Sequence, residues 1–143
     1  MTSAAEQFPY VQIDPAAGAA SLSPYLPLEL LLGGNQVSAM GLVDSGAAIN
    51  VLPYDVGLRL GAIWEHQSTL VQLTGNLAAC EARVLVVSAT VGKLPPVRLA
   101  FAWARADSVP VILGQINFFL EFDVCFFRSR HQFEVKPKSG GGA

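Results

Sequence analysis

Through the middle of this chain apolar residues recur with a period of two, the signature of strands that bury one face. Leu26, Leu28, Leu30 and Leu32 share a face of a segment that stops at Gly33-Gly34-Asn35, and Val37 to Val43 reads as its hairpin partner. Val97, Leu99, Phe101 and Trp103 alternate with Arg98, Ala100 and Ala102, which predicts another strand and places Trp103 in the core. Residues 70–74 and 83–91 predict two more strands around the small-residue segment Gly75-Asn76-Leu77-Ala78-Ala79, a hairpin with a mobile tip.

Elsewhere the period changes or is punctuated. Pro53 opens a helix over 54–60, in which Val56 and Leu60 share a face and Gly61 supplies the stop. Residues 109–114 form an apolar strand ending at Gly114, and Ile116, Phe119 and Leu120 then have helical spacing over 115–121. Residues 123–127 and 132–136 predict a terminal hairpin around Arg128-Ser129-Arg130-His131. Seven or eight short strands and two short helices make a mostly β, barrel-like domain over 25–137. Residues 1–24 form a leader whose 14–24 stretch is small, turn-prone and flexible, while Phe8, Tyr10 and the Val11 to Ile13 stretch are apolar enough to add a strand at an interface. Residues 138–143 are a flexible tail.

Composition sharpens this picture. The chain has 143 residues, enough for one core, and 52% of them are hydrophobic against 14% charged. That excess predicts apolar surface buried between subunits. A formal charge of -2, with basic residues scattered near the end at Arg128, Arg130, Lys136 and Lys138, argues against nucleic acid or an anionic membrane as partner. No apolar run is long enough to span a bilayer, and Met1-Thr2-Ser3 begins no export signal, so the expected location is cytoplasmic. Cys80 and Cys125 match no short redox motif and read as reduced thiols. His66 and His131 share no metal-ligand spacing, and neither a metal nor a cofactor is expected.

One carboxylate stands out against this background. Asp44 follows the apolar pair Leu42-Val43 at the end of a predicted strand, where a charge is costly unless hydrogen bonds or a function hold it there. Gly46 allows a tight turn beneath it and offers an amide to the ionised oxygen. Hydrolysis by carboxylates needs one group to take a proton from water and another to give one to the scissile carbonyl, which two aspartates sharing a proton can do. Asp14, Asp55, Asp107 and Asp123 lack the Asp-Ser-Gly arrangement. A two-fold homodimer supplies the missing member by bringing Asp44 beside its own copy.

Asp44-Ser45-Gly46-Ala47 after Leu42-Val43, with Ile112-Leu113-Gly114 downstream and a hairpin between, resembles the retropepsin-like aspartic proteases, nearer to their cellular and bacterial members than to the viral ones. The likeness runs from about Leu26 to Val135. It implies an acid-protease β-barrel, active as a homodimer on extended peptides, with Asp44 catalytic. Ser45, Gly46 and Ala47 would support the catalytic loop and Leu113 and Gly114 would pack against it. Ala48, Ile112 and the flap residues Gly75, Asn76, Leu77 and Ala78 would meet substrate. This chain departs from the viral pattern at Ala48 and Ile49, where viral members often carry acidic residues, and in having one flap glycine. Those departures support an alternative reading, a peptide-binding or assembly module of the same fold that does not hydrolyse.

Overall fold

The computed structural model describes residues 5–12, 16, 18 and 21–139. In chain order the strands are β1 (Glu6–Pro9), β2 (Val11–Gln12), β3 (Leu22–Ser23), β4 (Tyr25–Leu32), β5 (Asn35–Val43) and β6 (Asn50–Leu52). Helix α1 (Tyr54–Arg59) follows, then β7 (Ala82–Thr90), β8 (Val97–Ala104), β9 (Val111–Leu113), helix α2 (Phe118–Glu121), β10 (Phe122–Phe127) and β11 (Gln132–Pro137). The order β4-β5-β9-β6-β8-β7 closes into a barrel, and β1-β11-β10 form a separate sheet. Phe133 and Val135 of that sheet enter the same core as the barrel residues Leu26, Phe101 and Leu113. The protein is mostly β.

The predicted hairpin forms as its pattern requires. Leu32 pairs with Asn35 across a two-residue turn in which Gly33 takes φ +58°, a conformation that favours glycine. Leu26, Leu28 and Leu30 are all but fully buried. In β8 the alternating Leu99, Phe101 and Trp103 are buried as expected, yet Ala102 and Ala104 are buried too. A second apolar cluster, with Val51, Leu73 and Ala82, covers that opposite face. Pro53 caps α1, and Gly61, at φ +82°, ends it. Helix α1 lies directly on Trp103: a Cβ at Gly57 would stand 2.2 Å from the indole, and the indole N–H donates to the Tyr54 carbonyl at 3.0 Å.

Three expectations need correction. Eleven strands are present among the described residues, not seven or eight. The additional strands include β1, in which Phe8 stands opposite Phe133, and β6, which is too short to show a period. Residues 70–74 are not a strand: only Leu70 bridges to Arg83, and Gly75–Leu77 is a 3-10 turn. Over 115–121 only α2 is helical, and its buried residue is Phe118, while Ile116 and Leu120 are 56% and 60% exposed. The amides of Gln115 and Ile116 bond the carbonyls of Ala47 and Ala48 instead, which holds that stretch extended. The leader residues 1–4, 13–15, 17, 19 and 20, and the tail residues 140–143, lie outside the described residues.

Candidate active site

Strands β5 and β9 run parallel in the register Gly41 to Val111, Leu42 to Ile112 and Val43 to Leu113. The residues that follow them, Asp44 and Gly114, therefore emerge side by side. The Asp44 amide donates to the Leu113 carbonyl at 3.0 Å. The chain then turns: the Ala47 amide donates to the Asp44 carbonyl at 3.1 Å, and the Gly46 amide to Asp44 Oδ1 at 2.9 Å. It returns as β6 between β9 and β8, antiparallel to the first at Val51–Ile112 and parallel to the second. Two loops thus interlock. A Cβ at Gly114 would lie 2.5 Å from the Ile49 carbonyl oxygen and 2.8 Å from that of Ala47, so only glycine fits there. Gln115 adds a side-chain bond from Nε2 to the Ser45 carbonyl at 2.7 Å.

Beside this turn lies a cavity of about 300 Å³ lined by Gly46, Ala47, Ala48, Ile49, Val51, Gln72, Leu73, Thr74, Leu77 and Ile112. A second, of about 480 Å³, shares Thr74, Leu77 and Ile112 with it and adds Asn76, Ser108, Val109 and Pro110. None of these residues is charged, so the cleft beside the Asp44 turn suits uncharged side chains.

A barrel in which a strand, an Asp-Ser-Gly turn and a return strand interlock with a parallel strand ending in glycine can be compared with known structures. The chain is similar to a retropepsin-like aspartic protease from Rickettsia conorii, with a TM-score of 0.60 at 13% sequence identity, over 94% of this chain and 92% of that one. The fold is retropepsin-like. The EIAV protease, in its complex with the inhibitor HBY-793, aligns with a TM-score of 0.48 at 21% identity, over 68% of this chain and 86% of that one. No protein-family model matches the sequence, and no curated protein is significantly similar to it.

At this turn the structure joins Asp44, Ala47 and Leu113 by backbone bonds, holds Gly46 on the Asp44 carboxylate and Ser45 on the Gln115 side chain, sets Gly114 against the Ala47 and Ile49 carbonyls, and places Ala48, Leu77 and Ile112 along the cavity wall. Asn76 lines only the second cavity. Ala78 lines a different one, of about 520 Å³, between the arms of the 70–82 loop with Leu70, Cys80 and Glu81. Gly75 lines none of these, and its φ of +62° makes it the turning point of that loop. Sequence reasoning missed Gln72, Leu73 and Thr74, which face the first cavity. Gln72 also spans the loop, its Nε2 donating to the carbonyls of Leu73 and Ala78 at 3.0 Å each.

It also missed Asn50. Fully buried, Asn50 accepts the Gly114 amide at 2.8 Å and the Phe118 amide at 3.4 Å, and donates to the Ala100 carbonyl and to Asn117 Oδ1 at 3.0 Å each. Asn117 Oδ1 also accepts the Ala100 amide, and its Nδ2 donates to the Arg98 carbonyl. This pair satisfies the groups that the interlocked loops would otherwise bury unpaired. The signal was available: Asn50 sits among Ile49, Val51 and Leu52, the same kind of polar interruption that drew attention to Asp44.

Asp44 itself is partly exposed, and among the described residues its Oδ2 takes no hydrogen bond. The other described aspartates lie elsewhere: Asp55 pairs with Arg59 at 3.8 Å, Asp107 accepts the Asp55 amide at 2.9 Å, and Asp123 is on β10 in strand register with Lys136 of β11. Among the described residues no three of His, Cys, Asp and Glu gather as a metal-ligand set, and no helix is long and apolar enough to cross a membrane.

Proposed function

We propose that this chain is an aspartic endopeptidase that works as a two-fold homodimer. The observation that carries the reading is the Asp44 turn, interlocked with Gly114 beside an uncharged cleft in a retropepsin-like barrel. In the dimer Asp44 and the partner subunit's Asp44 share one proton, because two like charges in contact cannot both ionise. The ionised carboxylate takes a proton from water as the water oxygen attacks the peptide carbonyl carbon. The protonated carboxyl gives its proton to the carbonyl oxygen. The resulting gem-diol collapses with proton transfer to the amide nitrogen, which leaves as the amine. No covalent link to the protein forms.

Ser45, Gly46 and Ala47 hold the carboxylate in place, and Leu113 and Gly114 brace the turn from the facing loop. The 70–82 loop serves as a flap that closes over substrate and excludes water. Ala48, Ile112, Leu77 and the tip residues Gly75, Asn76 and Ala78 meet an extended peptide with uncharged side chains.

A catalytically silent peptide-binding module is the second reading, favoured by Ala48 and Ile49 after the motif and by a flap without a regular hairpin. Digestion of a mixed peptide pool, with Asp44→Asn as control, separates the two. The endopeptidase reading expects new cut sites from the wild type and none from the folded variant. Binding without cleavage by the wild type, or equal cleavage by both proteins, contradicts it.

A further inference from the structure

The flap's arms meet at a joint that one side chain closes. The Val84 amide donates to the Thr69 carbonyl at 2.9 Å and the Val71 amide to the Ala82 carbonyl at 3.0 Å; beyond these the paired backbone ends. Arg83 stands in this joint, opposite Leu70. Its Nη1 donates to the Trp64 carbonyl at 2.8 Å and to the Gln67 carbonyl at 3.2 Å, and its guanidinium lies 4.7 Å from the Trp64 ring centre. Trp64 is buried, edge-on to Trp103 at 5.1 Å and to Tyr54 at 5.7 Å, so the joint is tied to a fixed part of the core. The outgoing arm thereby grips the segment from which the incoming arm departs.

The chemistry of the grip is particular to arginine. A planar guanidinium can fork between two carbonyls and stack on an indole at once, whereas an ammonium acts as a point charge.

We propose that Arg83 is the positioning residue of the flap: its hold on the Trp64 and Gln67 carbonyls sets where Leu73, Thr74 and Leu77 stand over the cleft, and so how tightly an extended peptide is held. The kinetic side of the proposal rests on the endopeptidase reading; the mechanical side does not. The test compares wild type, Arg83→Ala and Arg83→Lys in steady-state cleavage of a peptide identified from the pool digestion, and in hydrogen exchange of the amides over 67–82. Arg83→Ala should raise KM about tenfold while kcat stays within about threefold, because the grip holds substrate and does no chemistry. Arg83→Lys should recover part of that loss, since it keeps the charge near the indole and loses the fork. The 67–82 amides should exchange about tenfold faster in Arg83→Ala and about threefold faster in Arg83→Lys, with those of β4 and β5 unchanged.

A folded Arg83→Ala with wild-type KM, or flap exchange unaltered in both variants, overturns the proposal. If Arg83→Ala does not fold, Arg83→Lys decides by its exchange alone, faster flap exchange supporting the grip and unchanged exchange refuting it. A wild type that cleaves nothing defeats the endopeptidase reading, and the exchange comparison still decides whether Arg83 holds the joint.

Discussion

Asn50 bonds Gly114, Phe118, Ala100 and Asn117 from a fully buried position, so its removal leaves several buried backbone groups unpaired. Each such orphan costs about 1–3 kcal/mol, and Asn50→Ala should lose about 2–4 kcal/mol of stability in urea unfolding after partial relaxation. A loss below about 1 kcal/mol would mean that the network is slack. The turn at Asp44 was legible from sequence because a strong motif surrounds it. Asn50 stood out only as a polar interruption, and the bonds that it and Asn117 make were not legible, because they depend on which loops meet, and β6 and β9 meet only through the barrel's crossed pairing. At the surface, hydrogen bonds from Ser38, and then Gln36, hold the Glu29 carboxyl below its ordinary range. A lowered folded value stabilises the protein above the ordinary carboxylate range, and that contribution is lost as pH falls through the lowered value. Glu29→Gln should therefore melt below wild type at neutral pH, and thermal melts of the two proteins should converge in strong acid.

At the scale of elements, hydrophobic period predicted best where a strand has one wet face. The β4/β5 hairpin and β8 follow their patterns, and α1 ends where Gly61 said it would. Residues 70–74 read as a strand in the sequence, yet past the Val71–Ala82 bond the arms separate and the Gln72 side chain bonds the facing arm at the Ala78 carbonyl, so no ladder forms. Residues 115–121 failed for a related reason: backbone bonds to the Ala47 and Ala48 carbonyls outweigh helical spacing. Helix α1 offers a sharp test of packing. Gly57 lets its backbone lie against Trp103, and a methyl group there must displace the indole or the helix. Gly57→Ala should cost about 1–3 kcal/mol despite its better helix propensity, measured by thermal unfolding. A stabilised variant would mean that the helix rides clear of the tryptophan.

For the whole molecule, the mostly β, barrel-like class was readable from alternation and punctuation, while the strand order β4-β5-β9-β6-β8-β7 was not, since long-range pairing leaves no local mark. The chain carries Asp-Ser-Gly once, and that arithmetic is the strongest argument for a dimer. Exposed Ile116, bridged to Ile49 just past the Asp44 turn, and exposed Leu120 fit a chain richer in apolar residues than a lone domain needs. The central claim is that activity belongs to a pair of Asp44 carboxyls from two chains. Mixing wild type with the Asp44→Asn variant, after exchange of subunits, tests it directly. If both carboxyls are required, an equal mixture should retain about a quarter of the cleavage rate of wild type at the same total protein, because only pairs of wild-type chains act. A rate of about half, in proportion to the wild-type chains present, would mean that each chain acts alone and would contradict the account.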